Sequence, residues 1–355
     1  MGSDDFGSRM LEILNDGMLC LMVSVGYKVQ LFDVMAEMPP STSTEIAKAA
    51  KLNERYVREW LGAMVVGKIA EYDPAAGKYR LPPDRAACLT RKAGIDNIAV
   101  FTQYIALMGN VEDRIVECFR NGGGVPYSAY PKFQQLQAEE TARVFDARLL
   151  DQILPLAGKG VMQKLENGGA EVLDIGCGTG HAVNLMAKAF PKSRFYGYDF
   201  STEGIRAAKK EAARMGLKNA HFKVVDAARM ADRKKYDLVT AFDTIHDQAR
   251  PDKVLRAVRR ALRRGGTFLM QDVAASSNVH ENIGRPLGPA IYTFSTMHCM
   301  TVSLAYGGMG LGTAWGEQKA REMLAEAGFG MPQVKTVEGD IFNYYYVCKK
   351  PRQKQ

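Results

Sequence analysis

The sequence predicts an α/β protein: a seven-stranded, doubly wound sheet whose last strand runs antiparallel, preceded by a mostly helical domain that carries a winged helix. Three observations predict it. From residue 170 onward apolar strands alternate with amphipathic helices, the pattern of a parallel sheet covered on both faces. A glycine-rich turn, GCGTG at 176–180, follows the first apolar run. Between residues 39 and 81 the order is helix, turn, helix and two short strands.

Residues 11–36 are apolar at helical spacing. In the next segment Ser43 or Thr44 caps a short helix, a turn at Lys51 to Asn53 leads into a second helix ending near Val65, and two strands flank DPAAG. The second helix is the one a DNA-binding winged helix would use for recognition, but it sets Arg55 and Arg58 against Glu54 and Glu59. Phosphate binding needs a more one-sided positive surface, so packing or dimerisation is expected of it.

Residues 91–165 read as helical, interrupted by NGGGVPYSAYPKF. This loop either places Tyr127, Tyr130 and Phe133 against a ligand of the next domain or is pinned by them as an aromatic cluster. Beyond it come AEVLDIG, RFYGYD, AHFKVVD, YDLVTAFD and GTFLMQD with helices between, then PQVKTV and NYYYVCKK joined by the short EGDIF link. That link is too short for a crossover helix, so the last two strands are antiparallel neighbours. The expected division is a winged-helix and dimerisation domain over 1–90, a connector contributing to the active site over 91–165, and a catalytic domain over 166–350.

At 355 residues, 46% hydrophobic and 24% charged, the composition is that of a globular enzyme or regulator of more than one domain. No uninterrupted apolar stretch reaches about 18 residues, and MGSDDFGSRM has neither a basic start nor an apolar core. A cytoplasmic protein without membrane attachment is expected. The six cysteines are scattered, with no His/Cys cluster at metal spacing, and are read as reduced thiols without a metal. Much of the net charge of +8 falls in RAVRRALRR (256–264) and the tail KKPRQKQ. These are expected to be a solvated helix face and a frayed end rather than a nucleic-acid surface.

Ligands of open α/β sheets lie at the carboxyl ends of the strands. That edge collects Asp174, Gly176, Cys177, Gly178 and Gly180 after the first strand, Asp199 and Phe200 after the second, Asp226 and Ala227 after the third, and Phe242 to Asp247 after the fourth, Asp243 among them. A dinucleotide loop needs G-x-G-x-x-G facing a pyrophosphate. Here the spacing is one residue shorter, and Asp174 stands two residues before the first glycine, where it would repel a pyrophosphate. A ligand with an ammonium group and no phosphate suits this edge, and S-adenosylmethionine is such a ligand. Asp199 is placed to accept from its ribose hydroxyls. Asp226 either meets its adenine amine or caps the following turn.

On VLDIGCGTG, YDFS, VVDA, FDTIHD, RRGGTFLMQD and the terminal strand pair, residues 170–350 resemble the class I S-adenosylmethionine-dependent methyltransferases, with their Rossmann-like sheet. With the winged N-terminal half added, the chain resembles the two-domain small-molecule O-methyltransferases, which are often dimers. The resemblance implies that His246 is the catalytic base, since it matches the histidine of the LHDW segment in those enzymes. It also implies that Asp247 matches the neighbouring acid. The tryptophan is replaced here by Gln248, and the acidic pair expected next by Ala249 and Arg250.

Among the five histidines, His298 is an alternative base or a packing residue, and His246 itself is alternatively a structural hydrogen-bonding group. The segment 275–316 contains Tyr292, His298, Cys299, Met300 and Trp315 and is expected to shape a pocket for an apolar or aromatic acceptor. Cys299 is read as packing, and Glu317 either orients a histidine or opens the next helix. Methylation of a small-molecule hydroxyl is the leading expectation, with nitrogen or sulfur as other acceptor atoms. A winged-helix regulator that senses S-adenosylmethionine is the competing class.

Overall fold

The computed structural model describes residues 5–351. It divides into two compact units, one ending at Asn110 and one beginning at Val111, so residues 91–110 group with the first unit and 111–165 with the second.

The first unit opens with a 23-residue helix, Phe6–Lys28. It is long and apolar enough to cross a membrane by length and composition. This corrects the reading by uninterrupted runs, which Arg9, Glu12 and Asp16 break although the helix as a whole stays apolar. Phe6, Met10, Leu11, Leu14 and Met18 are all largely exposed on it. The Trp60 indole donates to the Met22 carbonyl at 2.9 Å and meets Phe32 edge-on, fixing this helix over the second helix of the helix-turn-helix.

That motif comprises Ser43–Ala50 and Glu54–Val66. Its cap is Thr42, not Ser43 or Thr44: the Thr42 side chain takes the Glu45 amide while the Glu45 carboxylate takes the Thr42 amide. Such reciprocal capping stabilises a helix by about 1 kcal/mol. The wing is β1 (Glu71–Asp73) and β2 (Lys78–Arg80), an antiparallel pair. On the second helix Arg55 pairs with Glu59 and Arg58 with Glu54, so its cations are neutralised locally.

In the second unit β3 (Glu171–Ile175), β4 (Arg194–Asp199), β5 (Ala220–Val224), β6 (Tyr236–Phe242), β7 (Leu262–Val273), β8 (Gln333–Lys335) and β9 (Asn343–Lys349) form one sheet in the order β5-β4-β3-β6-β7-β9-β8. β9 runs antiparallel to both neighbours and the other pairings from β5 to β7 are parallel, as the strand reading predicts. Alternate residues of a strand face opposite sides. Accordingly Val172 joins a core with Val183, Met186 and Leu269, while Leu173 joins the opposite core with Val254, Leu255 and Met270.

The helix before β7 ends at Ala261, so Leu262 to Arg264 lie in the strand and not on the helix expected of them. The tail reading is likewise corrected at Lys350, whose ammonium donates to the carbonyls of Arg259 and Leu262, both at 2.7 Å. Arg352 and Lys354 lie outside the described residues. Between β7 and residue 316 the chain is substantially helical: Gly288–Phe294, a wide turn over Ser295–Cys299, and Met300–Ala305 follow without a break.

Candidate active site

At the carboxyl edge of the sheet a cavity of about 650 Å³ opens. Strands β3, β4 and β6 end at it, and the helix Phe133–Arg148 contributes Gln134, Gln137, Thr141 and Phe145 to its wall. The glycine turn builds one side. Gly176 has a φ of +68°, and a Cβ there would meet the Thr244 hydroxyl at 2.0 Å, so only glycine fits. Gly178 donates its amide to Asp199 Oδ2 at 2.9 Å and, with Cys177, lines the cavity. Gly180 does not line it; a Cβ there would meet Ala208 and Phe222, so this glycine serves packing of the helix behind the turn.

The strand-end acids converge here. Asp174 is buried, accepts from the Thr240 hydroxyl at 2.7 Å, and is pushed up by that burial to about 7. Asp199 is held by the amides of Ser201 at 2.7 Å and Gly178, which offset part of the upward shift that burial imposes. Asp226 accepts the Ala228 amide at 2.9 Å, so it does cap the turn Ala227–Arg229, and it also lines the cavity. Asp243 is a non-glycine residue at a φ of +48°, with Oδ2 accepting from Gln271 at 2.6 Å and Oδ1 buried without a partner. Burial first, and Asp272 second, push it up to about 8. Phe200, Ala227 and Phe242 complete this wall.

His246 follows β6 and is 3% exposed. Its Nδ1–H donates to Asp272 Oδ1 at 2.8 Å, while Nε2 lies 3.2 Å from Asp247 Oδ1. Burial disfavours the imidazolium, but Asp272 and Asp247 outweigh it and hold the pKa well above the ordinary histidine value. Asp247 lines the cavity and His246 stands behind it. Burial raises the Asp247 carboxyl, yet His246 carries it down to about 2. Asp247 does not cap the next helix, Pro251–Ala261, whose first residue follows Arg250.

Asp272 escaped sequence reasoning although it lies one residue before the end of β7, the one strand end of the edge left without a role. It is fully buried and its Oδ1 also accepts the Trp315 indole N–H at 2.9 Å. Trp315 therefore sits in the core behind His246 and not in the wall of the cavity. Tyr127 lines the cavity and meets Phe200 and Phe133 edge-on. Tyr130 donates to the Met297 carbonyl at 2.5 Å, and Tyr292 accepts from Asn282 at 3.0 Å; neither lines the cavity.

His298 stacks on Phe133 at 3.8 Å between ring centres, and burial carries it down to about 4. A neutral, enclosed ring of that kind packs the aromatic loop. The loop is clamped to the segment beneath it: Val125 donates to the Thr301 hydroxyl at 2.9 Å, and a Cβ on Gly124 would meet the Thr301 carbonyl at 2.0 Å. Glu317 pairs with Arg321 in the first turn of its own helix and takes no part in this network.

Residues 17–91 match the Rv2258c-like winged HTH domain, and residues 166–328 match a methyltransferase domain. The chain thus carries a methyltransferase domain behind a winged-helix domain. Over 149 residues it is 26% identical to malonyl-[acyl-carrier protein] O-methyltransferase of Bacillus cereus, covering 42% of this chain and 49% of that one. The chain therefore spans about half the length of that relative. A putative O-methyltransferase structure from Nostoc punctiforme superposes with a TM-score of 0.75 at 19% identity, over 98% of this chain and all 100% of that one. Human N-acetylserotonin methyltransferase, solved with S-adenosylmethionine, gives 0.70 at 17% identity over 99% and 100%. At these identities the likeness is one of fold.

Proposed function

We propose that this protein transfers the methyl group of S-adenosylmethionine to a hydroxyl of a small, largely apolar acceptor, with His246 and Asp247 receiving the proton. The observation that carries the reading is the buried His246 between two carboxylates, one of which opens on the cavity. When bound, the donor supplies a methyl group on a positively charged sulfur, open to in-line displacement.

The residues present fit it. Asp243 Oδ1 is an unpartnered buried acceptor for an ammonium group. Asp199 accepts one backbone amide on each carboxylate oxygen and keeps further acceptor capacity for ribose hydroxyls. Asp226, beside Ala227, suits the adenine end. Tyr127, Phe145, Val302 and Tyr306 give the cavity an apolar wall beyond these acids, with Gln134 and Gln248 as its polar points.

Asp272 keeps the proton of His246 on Nδ1, so exchange with an acceptor is confined to Nε2 and, through it, Asp247. A pKa held high by two carboxylates makes the neutral imidazole of His246 a strong base but keeps the ring protonated near neutral pH, so the base form grows in as pH rises through that raised value. The methyltransferase relative favours methyl transfer over a regulator's sensing role, and the neutralised second helix of the helix-turn-helix speaks against phosphate contacts. His246→Ala is expected to keep donor affinity while turnover falls roughly 100- to 10,000-fold, the usual weight of general-base catalysis. Candidate acceptors are screened by S-adenosylhomocysteine release, and turnover within threefold of the parent would remove His246 from the reaction.

The exposed apolar face of Phe6–Lys28 is assigned to a second copy of the chain, giving a homodimer through the first unit. Light scattering in detergent-free buffer should return twice the 39.1 kDa chain mass. A monodisperse monomer there would sink this assignment.

A further inference from the structure

At the wall of the cavity, the fold brings a cysteine more than fifty residues away in the sequence up to the adjacent pair His246 and Asp247. A ring nitrogen of His246, a carboxylate oxygen of Asp247 and Cys299 Sγ all lie within 4.8 Å of one another, and His246 Nε2 is 3.2 Å from Asp247 Oδ1. Cys299 comes from the wide turn Ser295–Cys299, where two helices run together. Adjacent ligands of a tetrahedral zinc ion stand about 3.4 Å apart, so the set closes on such an ion with shifts of about 1 Å. Two further features mark the cluster as unfinished. Asp247 Oδ1 has His246 Nε2 as its one close polar contact, at 3.2 Å, and His298 Nε2 is buried without a hydrogen-bond partner in a residue 1% exposed. His298 Nδ1 lies 3.6 Å from the Cys299 sulfur, where an N–H would support a thiolate. The second layer is that of a bound histidine: its other nitrogen donates to the carboxylate of Asp272, which fixes tautomer and ring orientation.

We infer that His246, Asp247 and Cys299 form a three-ligand site for a borderline-soft divalent cation of the zinc class, open to the cavity on the side of Asp247. Imidazole, carboxylate and thiolate together select such an ion over magnesium or calcium, and three protein ligands leave a fourth position for water or an acceptor oxygen. The site shares His246 with the proton-accepting pair of the proposed function, so an ion bound there occupies Nε2 and stops methyl transfer that depends on it.

The test uses the full chain, without methyl donor or acceptor, so that it stands apart from any activity. Cobalt(II), which reports thiolate ligation through its near-ultraviolet charge-transfer absorption, is titrated into the parent, Cys299→Ser and Cys348→Ser. One equivalent is expected to bind with that absorption in the parent and in Cys348→Ser. In Cys299→Ser the absorption should vanish and affinity fall at least about tenfold. His246→Gln, with circular dichroism to confirm folding, should weaken binding similarly. No saturable binding, or an unchanged spectrum in Cys299→Ser, overturns the assignment.

Discussion

The two ends of the cavity are built in different ways. At the donor end Asp199, at the tip of β4, is held by backbone amides: Ser201 from its own turn and Gly178 from the neighbouring glycine turn. At the acceptor end, His246 depends on Asp272 from the tip of β7, Asp272 depends on Trp315, and Asp247 faces Cys299 from a helical insertion. Backbone amides are supplied by any sequence once strands and turns are set. Side-chain chains of this kind exist only when several distant segments have packed. The donor end is therefore robust to local change, and the acceptor end is sensitive to substitutions well away from the chemistry.

The most severe test of that contrast removes the central acid of the donor end. In Asp199→Ala two amide bonds to a carboxylate disappear together, each worth about 1.5–3 kcal/mol when charge-assisted. Donor affinity is expected to fall roughly 100-fold or more by calorimetry, with the fold preserved by circular dichroism. An affinity within threefold of the parent would show that the turn needs no carboxylate, and the contrast would fail at its donor end.

This difference also explains what the sequence made legible. The succession of strands along the chain, the antiparallel terminal pair and the row of strand-end acids follow from local pattern: Asp174, Asp199, Asp226 and Asp243 each end or follow an apolar run and all reach the cavity. Trp315 was expected in the acceptor wall because it lies in the insertion, yet its indole turns inward to a carboxylate more than forty residues earlier in the chain, 2.9 Å away. Periodicity does not encode such a pairing. Asp272 was within reach of the same strand-end rule, since GTFLMQD ends in it. The long first helix was misjudged because uninterrupted apolar runs were counted, and a helix needs only an apolar surface with a few charges among its turns.

A smaller effect sharpens the acceptor end. Trp315→Phe keeps an aromatic body and removes one N–H from a fully buried carboxylate. Trp315 touches neither ligand; it positions His246 through Asp272. Turnover is expected to drop about tenfold while KM for the methyl donor stays within twofold, reflecting one strong hydrogen bond lost at second remove. Equal losses in donor KM and turnover would indicate general loosening of the core, and Trp315 would then be structural alone.

The smallest expected effect lies at the edge of the donor end, where His181 spans two helices. Its Nε2 meets Asp146 at 2.8 Å and its Nδ1 meets Glu211 at 2.9 Å. Burial disfavours the charged ring, but the two carboxylates prevail and raise its pKa above the ordinary value of 6.5. A pKa raised by folding means that the imidazolium form is the one the fold stabilises. That contribution is complete below about pH 6.5 and fades as pH climbs through the raised value. The melting temperature of the parent should accordingly decline from pH 6 to pH 9 by more than that of His181→Gln, which keeps a hydrogen-bonding group without the titration. Parallel curves for the two proteins would mean that the Asp146 and Glu211 contacts add nothing that depends on charge, leaving the donor end held by its backbone bonds alone.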